Sequence, residues 1–125
     1  MHILMCNDDG ILADGLRHLA SYLSQYYRIT VVAPANEQSA KSHALTTEVP
    51  LKLDAYNGED ENPRLYALTG TPSDCMKFGL SYLLTDDMPD LVISGINHGF
   101  NLGSDVLYSG TVSAAMESCF YGIPG

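Results

Sequence analysis

Tryptophan is absent from this chain, Lys and Arg together number only 6 of 125 residues, and the 3 cysteines are an odd count. Each shortage excludes something. The cations Arg17, Arg28, Lys41, Lys52, Arg64 and Lys77 are scattered along the chain, whereas a face for duplex nucleic acid needs a basic stripe that neutralises phosphates. Cys6, Cys75 and Cys119 sit in apolar stretches and read as buried free thiols in a reducing compartment, not as a disulfide framework. No apolar run approaches the roughly 20 residues of a membrane helix. The amino terminus lacks the charged segment and apolar core of a signal peptide. The expectation is a cytoplasmic protein with no membrane partner.

What is present is 46% hydrophobic composition and a net charge of −9 from 15 acidic residues, enough for a single α/β domain over residues 1–125. Acidity does not exclude small phosphorylated ligands, because a bound divalent cation reverses the local sign.

The patterning predicts a strand over His2–Cys6, a helix carrying Leu16, Leu19, Ala20 and Leu23, and a second strand over Ile29–Ala33 closed by Pro34. That is a βαβ unit with parallel strands. Alternation at Val49, Leu51 and Leu53 predicts a half-exposed strand, and the acidic tract from Asn57 to Pro63 a solvated hairpin tip. A strand over Leu65–Leu68 leads to Thr71-Pro72-Ser73, where Thr71 or Ser73 caps a helix carrying Met76, Phe78, Leu80, Leu83 and Leu84. Leu91-Val92-Ile93 reads as a strand buried on both faces. A last helix starts near Gly110, its apolar side formed by Val112, Ala115, Met116 and Cys119, and Ile123-Pro124-Gly125 looks like the approach to another strand. The fold class is therefore a Rossmann-like three-layer α/β/α sandwich with a mostly parallel sheet.

Two loops carry candidate chemistry. Asn7-Asp8-Asp9-Gly10 places adjacent carboxylates at a strand end, and a turn through Gly10 can make them converge. Hard oxygen donors of this kind hold Mg²⁺ or Mn²⁺, while the alternative is that one carboxylate caps the next helix, a task for which Asp14 is better placed. The second loop, Ser94 to Thr111, is punctuated by glycine and holds no Lys or Arg. An anion bound there must be held by backbone N–H groups, a helix start or a metal. If the first and fifth strands are neighbours, Asn97 faces Asp8 and Asp9 across the switch-point crevice; otherwise it only braces its loop. Tyr108-Ser109-Gly110-Thr111 opens a helix as a small anion nest, with plain capping as the alternative. Ser109 lacks a nucleophile elbow. Among the histidines, His18 belongs to the first helix, while His43 and His98 lie in site loops as candidate proton donors or as merely exposed residues.

Taken in order, Asn7-Asp8-Asp9-Gly10, Val32-Ala33-Pro34, the Ser39 to Thr46 loop, Gly70-Thr71-Pro72-Ser73-Asp74-Cys75, Ser94-Gly95-Ile96-Asn97-His98-Gly99-Phe100-Asn101 and Asp105 to Val112 resemble the SurE family, stationary-phase survival proteins that act as metal-dependent 5'/3'-nucleotidases. The resemblance implies one divalent metal, Mg²⁺ or Mn²⁺, held by Asp8, Asp9, Ser39 and Asn97. It places the substrate phosphate near Asn101, Ser109, Gly110 and Thr111, with a nucleoside monophosphate as substrate. Ala40 and Ser118 stand where the family usually has glycine. Family members run to about twice this length, so the resemblance covers their amino-terminal half and implies a homodimer or homotetramer for the full-length protein.

Two other classes share parts of this pattern. A signalling receiver domain also has an acidic pair after its first strand, but needs an Asp at the end of a central strand and a later Lys. Here that strand ends in Ser94-Gly95-Ile96-Asn97, and no Lys follows Lys77. A non-catalytic nucleotide or phosphate sensor would use the same crevice, and an assay of phosphate release separates it from an enzyme.

Overall fold

In the computed structural model, which describes residues 1–37 and 45–125, five strands form one sheet in the order β3-β4-β2-β1-β5. These are β1 (His2–Cys6), β2 (Arg28–Pro34), β3 (Leu53–Ala55), β4 (Arg64–Leu68) and β5 (Leu91–Ser94), and the helices are α1 (Asp14–Leu23), α2 (Pro72–Phe78) and α3 (Gly110–Cys119). β1 runs parallel to both β2 and β5, β2 runs parallel to β4, and only β3 is antiparallel, forming with β4 a hairpin whose tip is the acidic tract.

Alternation of side chains along the strands divides the core in two. Leu4, Cys6, Val32, Tyr66 and Leu68 face Cys75, Met76, Leu80 and Ala114 of the α2 and α3 layer. Ile3, Met5, Ile29, Val31 and Ala33 face Leu16 and Ala20 of α1. The result is the three-layer sandwich with a mostly parallel sheet. Because the chain leaves β1 toward β2 on one side and later returns to β5 on the other, the switch point lies between β1 and β5.

Four expectations are corrected. The alternation at Val49, Leu51 and Leu53 yields a strand only from Leu53: Val49 is 61% exposed, and Pro50 between them has no N–H to give to a ladder. β5 is not buried on both faces: of its four residues only Val92 is fully buried. Alongside it, Val92 N–H donates to the Pro124 carbonyl at 2.9 Å, so the Ile-Pro-Gly segment does run beside the sheet. α3 turns inward with Gly110, Thr111, Ser113, Ala114 and Ser118, while Val112, Ala115, Met116 and Cys119 line an open groove with Ser94 and Thr111. Cys119 is accordingly exposed, whereas Cys6 and Cys75 are buried free thiols as expected.

α2 owes its start to Thr71, which accepts from Asp74 N–H at 3.1 Å while the Asp74 carboxylate accepts from Thr71 N–H at 2.9 Å. This reciprocal pair satisfies two N–H groups that the helix geometry leaves free. The helix continues through a wider π turn at Gly79–Leu83, where Gly79 packs against Leu4 and Val32 of the sheet.

Candidate functional site

The site is built at the carboxyl ends of β1 and β5. Beyond Cys6 the chain turns at once, because Asn7 is fully buried and brackets the turn: its amide accepts from Gly10 N–H at 3.1 Å and donates to the Gly10 carbonyl at 3.0 Å. Gly10 takes a φ of 103°, a left-handed conformation that favours glycine. The turn presents Asp8 and Asp9 to different neighbours. Neither caps α1, whose N-cap is Ala13 with no side-chain hydrogen bond, and Asp14 lies inside its first turn.

Asp8 is buried, 7% exposed, and its Oδ1 accepts from the Thr111 hydroxyl at 2.9 Å across 103 residues of sequence. Gly110 makes this approach possible. A Cβ there would lie 3.0 Å from Asp8 Cβ and 3.2 Å from Pro72 Cγ, so a larger residue would lift the start of α3 away from the carboxylate. Ser109 caps α3 by accepting from Val112 N–H at 3.2 Å. The N–H groups of Gly110 and Thr111, in the first turn, have no partner inside the helix and form a donor surface beside Asp8.

Asp9 is half-buried and accepts from His98 N–H at 3.3 Å, which ties the loop after β5 to the loop after β1. Burial first, and then the charge of Asp8, push the Asp9 carboxyl above its ordinary value, against the opposing pull of the His98 N–H and imidazole. Two carboxylates in one crevice raise each other's cost of ionisation unless a cation joins them. Asn97, in the same loop, donates from Nδ2 to the Gly99 carbonyl at 2.9 Å; this braces the loop and leaves its Oδ1 as a free oxygen donor. Asn101 is half-buried farther along the loop and makes no hydrogen bond to the acidic pair among the described residues. Ser39 and His43 lie outside the described residues. His18 is exposed on α1, and His98 is exposed at the site.

The carboxylates of Asp8 and Asp9 and the amide oxygen of Asn97 are hard oxygen donors, of the kind that suits Mg²⁺ or Mn²⁺. No three His, Cys, Asp or Glu side chains converge as a metal cluster among the described residues, so a zinc-type centre of nitrogen and sulfur ligands has no counterpart there.

Three features escaped the sequence reading. Glu37, just past the end of β2, joins Asp9, Leu12, Ala13 and His98 around a cleft of about 440 Å³; the rule that parallel strands gather ligands at their carboxyl ends could have flagged it. The Asp74 carboxylate takes, besides Thr71, the backbone N–H of Thr46 at 3.0 Å and its hydroxyl at 2.7 Å. Burial alone would raise that carboxyl, but the hydrogen bonds from Thr71 and Thr46 outweigh it and hold Asp74 below its ordinary value. The Thr71-x-x-Asp74 spacing was the available signal for the cap. Asn7 as the bracket of the turn was legible only as part of a motif.

Comparison with known proteins agrees with this architecture. The family described as "Survival protein SurE" matches residues 3–125. Among similar curated proteins, the "5'-nucleotidase SurE" of Thermoanaerobacter sp. (strain X514) is 55% identical over 124 residues, 99% of this chain and 48% of that protein. The "5'-nucleotidase SurE" of Vibrio vulnificus (strain YJ016) is 51% identical over 98% of this chain and 46% of its own length. The crystal structure of SurE protein from Aquifex aeolicus superposes with a TM-score of 0.86 at 43% identity, covering 99% of this chain and 48% of that one. The chain thus spans about half the length of the relatives it matches. With the acidic pair, the β5 loop and the start of α3 assembled at one switch point, and with a family match running from residue 3 to residue 125, this chain belongs to the SurE family.

Proposed function

We propose that this chain carries the metal- and phosphate-binding part of a phosphomonoesterase that hydrolyses nucleoside 5'- and 3'-monophosphates to nucleoside and inorganic phosphate. The observation that carries the reading is the junction of Asp8 with the start of α3, where a buried carboxylate meets Thr111 at 2.9 Å beside free helix N–H groups. A pure anion nest would not bury a carboxylate at its centre. A pure cation site would not point a helix start at itself. A metal and a phosphate side by side explain both.

In this reading Asp8, Asp9, Ser39 and Asn97 hold one Mg²⁺ or Mn²⁺, and when bound the ion supplies charge neutralisation for the phosphate and a lowered pKa for a water. Asp8 is oriented by the Thr111 hydroxyl, so the phosphate oxygens are received by the N–H groups of Gly110 and Thr111 and by the Ser109 hydroxyl, with Asn101 closing the loop side. The attacking water adds to phosphorus and the bond to the nucleoside oxygen breaks; one proton of the water goes to the departing nucleoside oxygen and the other stays on the phosphate. The relatives named 5'-nucleotidase support the substrate class. A cytoplasmic homodimer or homotetramer with no duplex nucleic acid and no membrane partner completes the reading.

The test is phosphate release from nucleoside 5'- and 3'-monophosphates by the full-length protein, before and after EDTA and after Mn²⁺ is restored. Release that EDTA abolishes and Mn²⁺ recovers is expected. Binding of the nucleotide without release would overturn the enzyme in favour of a sensor, and release indifferent to EDTA would overturn the metal.

A further inference from the structure

At the pole opposite the acidic pair, the amino ends of β1, β2 and β4 surround a buried histidine. His2 is 2% exposed, and both of its ring nitrogens are occupied: Nδ1 lies 3.2 Å from the Asp87 carbonyl and Nε2 lies 2.9 Å from the Thr30 hydroxyl. A carbonyl only accepts, so Nδ1 carries the proton, and in a neutral imidazole Nε2 then accepts from Thr30. Thr30 is fully buried, and its hydroxyl makes no other hydrogen bond among the described residues. The backbone holds the ring in place, because His2 N–H donates to the Asp90 carboxylate at 2.7 Å and Asp90 N–H donates to the His2 carbonyl at 2.8 Å. One residue thus joins β1 to β2 through its ring and to the segment before β5 through ring and backbone.

The charged groups that face the ring come from each of these elements and from β4. The Asp87 carboxylate lies 3.6 Å from Nδ1, but it is taken by Arg28 of β2 at 2.6 Å and approached by Arg64 of β4 at 3.9 Å. Asp90 is engaged by the His2 backbone, and the amino terminus is one residue away at Met1. Burial first, and then the charge of Arg28, hold the imidazole below its ordinary value of 6.5, with Arg64 acting in the same direction and Asp87 opposing. A second proton would set an Nε2–H against the Thr30 hydroxyl, whose own proton then loses its acceptor, and would charge a buried ring beside two guanidiniums. Each of these carries a desolvation cost.

We propose that His2 is an acid-sensitive latch on the fold: neutral, it ties the amino end of β1 to Thr30 and to the segment carrying Asp87 and Asp90, and protonated, it releases that pole of the sheet. The latch stands apart from the phosphomonoesterase reading and survives its failure. Because the folded chain binds this proton less tightly than the unfolded chain, the stability it contributes is fully present above the unfolded value of about 6.5 and is lost as pH falls below it toward the lower folded value.

The experiment compares the full-length protein with its His2→Gln and Arg28→Gln variants from about pH 7.5 to about pH 5, the range in which histidine changes charge. Calorimetry gives Tm, and NMR follows the His2 imidazole. The wild-type ring should titrate below the ordinary histidine value, and Arg28→Gln should move its midpoint upward, since Arg28 is exposed and its loss removes a cation without opening the core. Each tenfold difference in proton affinity between the unfolded and folded chains is about 1.4 kcal/mol, or about 3–5 °C of Tm, and wild type should lose that much more Tm on acidification than His2→Gln. An equal loss in the two proteins would overturn the latch, and so would a His2 imidazole that titrates at or above the ordinary value. The titration in wild type and Arg28→Gln decides the matter if His2→Gln does not fold.

Discussion

Replacing Gly110 by Ala tests whether the start of α3 is built to lie against the acidic pair. The added methyl would sit 3.0 Å from Asp8 Cβ, 3.2 Å from Pro72 Cγ and 3.4 Å from Asp8 Oδ2, where carbon contacts are at their best near about 3.5–4.0 Å. Neither neighbour is the loose end of a long side chain. Asp8 is held by Thr111, and Pro72 opens α2 with its carbonyl 3.8 Å from Cys6 Sγ. Something must move by roughly half an ångström. Relief of the glycine entropy returns about 0.5–1 kcal/mol, and overpacking costs about 1–3 kcal/mol, so the net loss is about 0–2.5 kcal/mol and, at about 4 °C per kcal/mol, the fall in Tm is at most about 10 °C. Activity should respond far more: a misplacement of about 1 Å can cost about 100-fold, and half of that shift about tenfold. Calorimetry and phosphate release on Gly110→Ala should therefore show a cooperative, nearly native transition with kcat/KM reduced about tenfold. Gly58→Ala is the control, because its added methyl would meet only Glu61 side-chain atoms at 3.8 and 3.9 Å and should change neither quantity. Activity of Gly110→Ala within about twofold of wild type would refute the claim that the helix start positions Asp8.

Two further perturbations test the same arrangement. Asp8→Asn should lower kcat/KM by at least about 100-fold, about 2.7 kcal/mol of barrier, while leaving the metal-free Tm unchanged or raised, because it removes a like charge from beside Asp9; activity within about tenfold of wild type would sink its role. Asp74, held below its ordinary pKa by Thr71 and Thr46 against the effect of burial, contributes stability that is present above the unfolded carboxyl value near 4 and lost as pH falls through the lower folded value; Asp74→Asn should flatten that acid limb of the stability curve, and a limb of unchanged slope would show that the carboxylate is not its source.

Where the fold was legible, one force dominated. β1, β2 and the βαβ unit could be read because apolar runs bounded by Gly10, Pro34 and helical spacing admit one solution. α3 misled for the opposite reason. Its apolar residues Val112, Ala115, Met116 and Cys119 look inward on hydrophobicity, yet the face against α2 and Asp8 is made of Gly110, Ser113, Ala114 and Ser118, because close approach of backbones selects for size before polarity. β5 misled because an apolar run marks a strand without saying how completely each of its faces is covered.

The two carboxylates of the site illustrate what adjacency in sequence conceals. Side chains alternate along a strand, so Asp8 and Asp9 begin on opposite sides, and the turn through Gly10 sends one to α3 and the other to the β5 loop. That division matters chemically. Asp8, buried and held by a hydroxyl, lies against the start of α3, whereas Asp9, half-buried and hydrogen-bonded by the His98 backbone N–H at 3.3 Å, faces the open cleft. The pair thereby separates a side of the crevice closed by Gly110 and Pro72 from a side that opens onto a cleft. Sequence supplied both residues; their unequal burial, which turns a repeated Asp into two different positions, arises only when Thr111 and His98 arrive from 103 and 89 residues away.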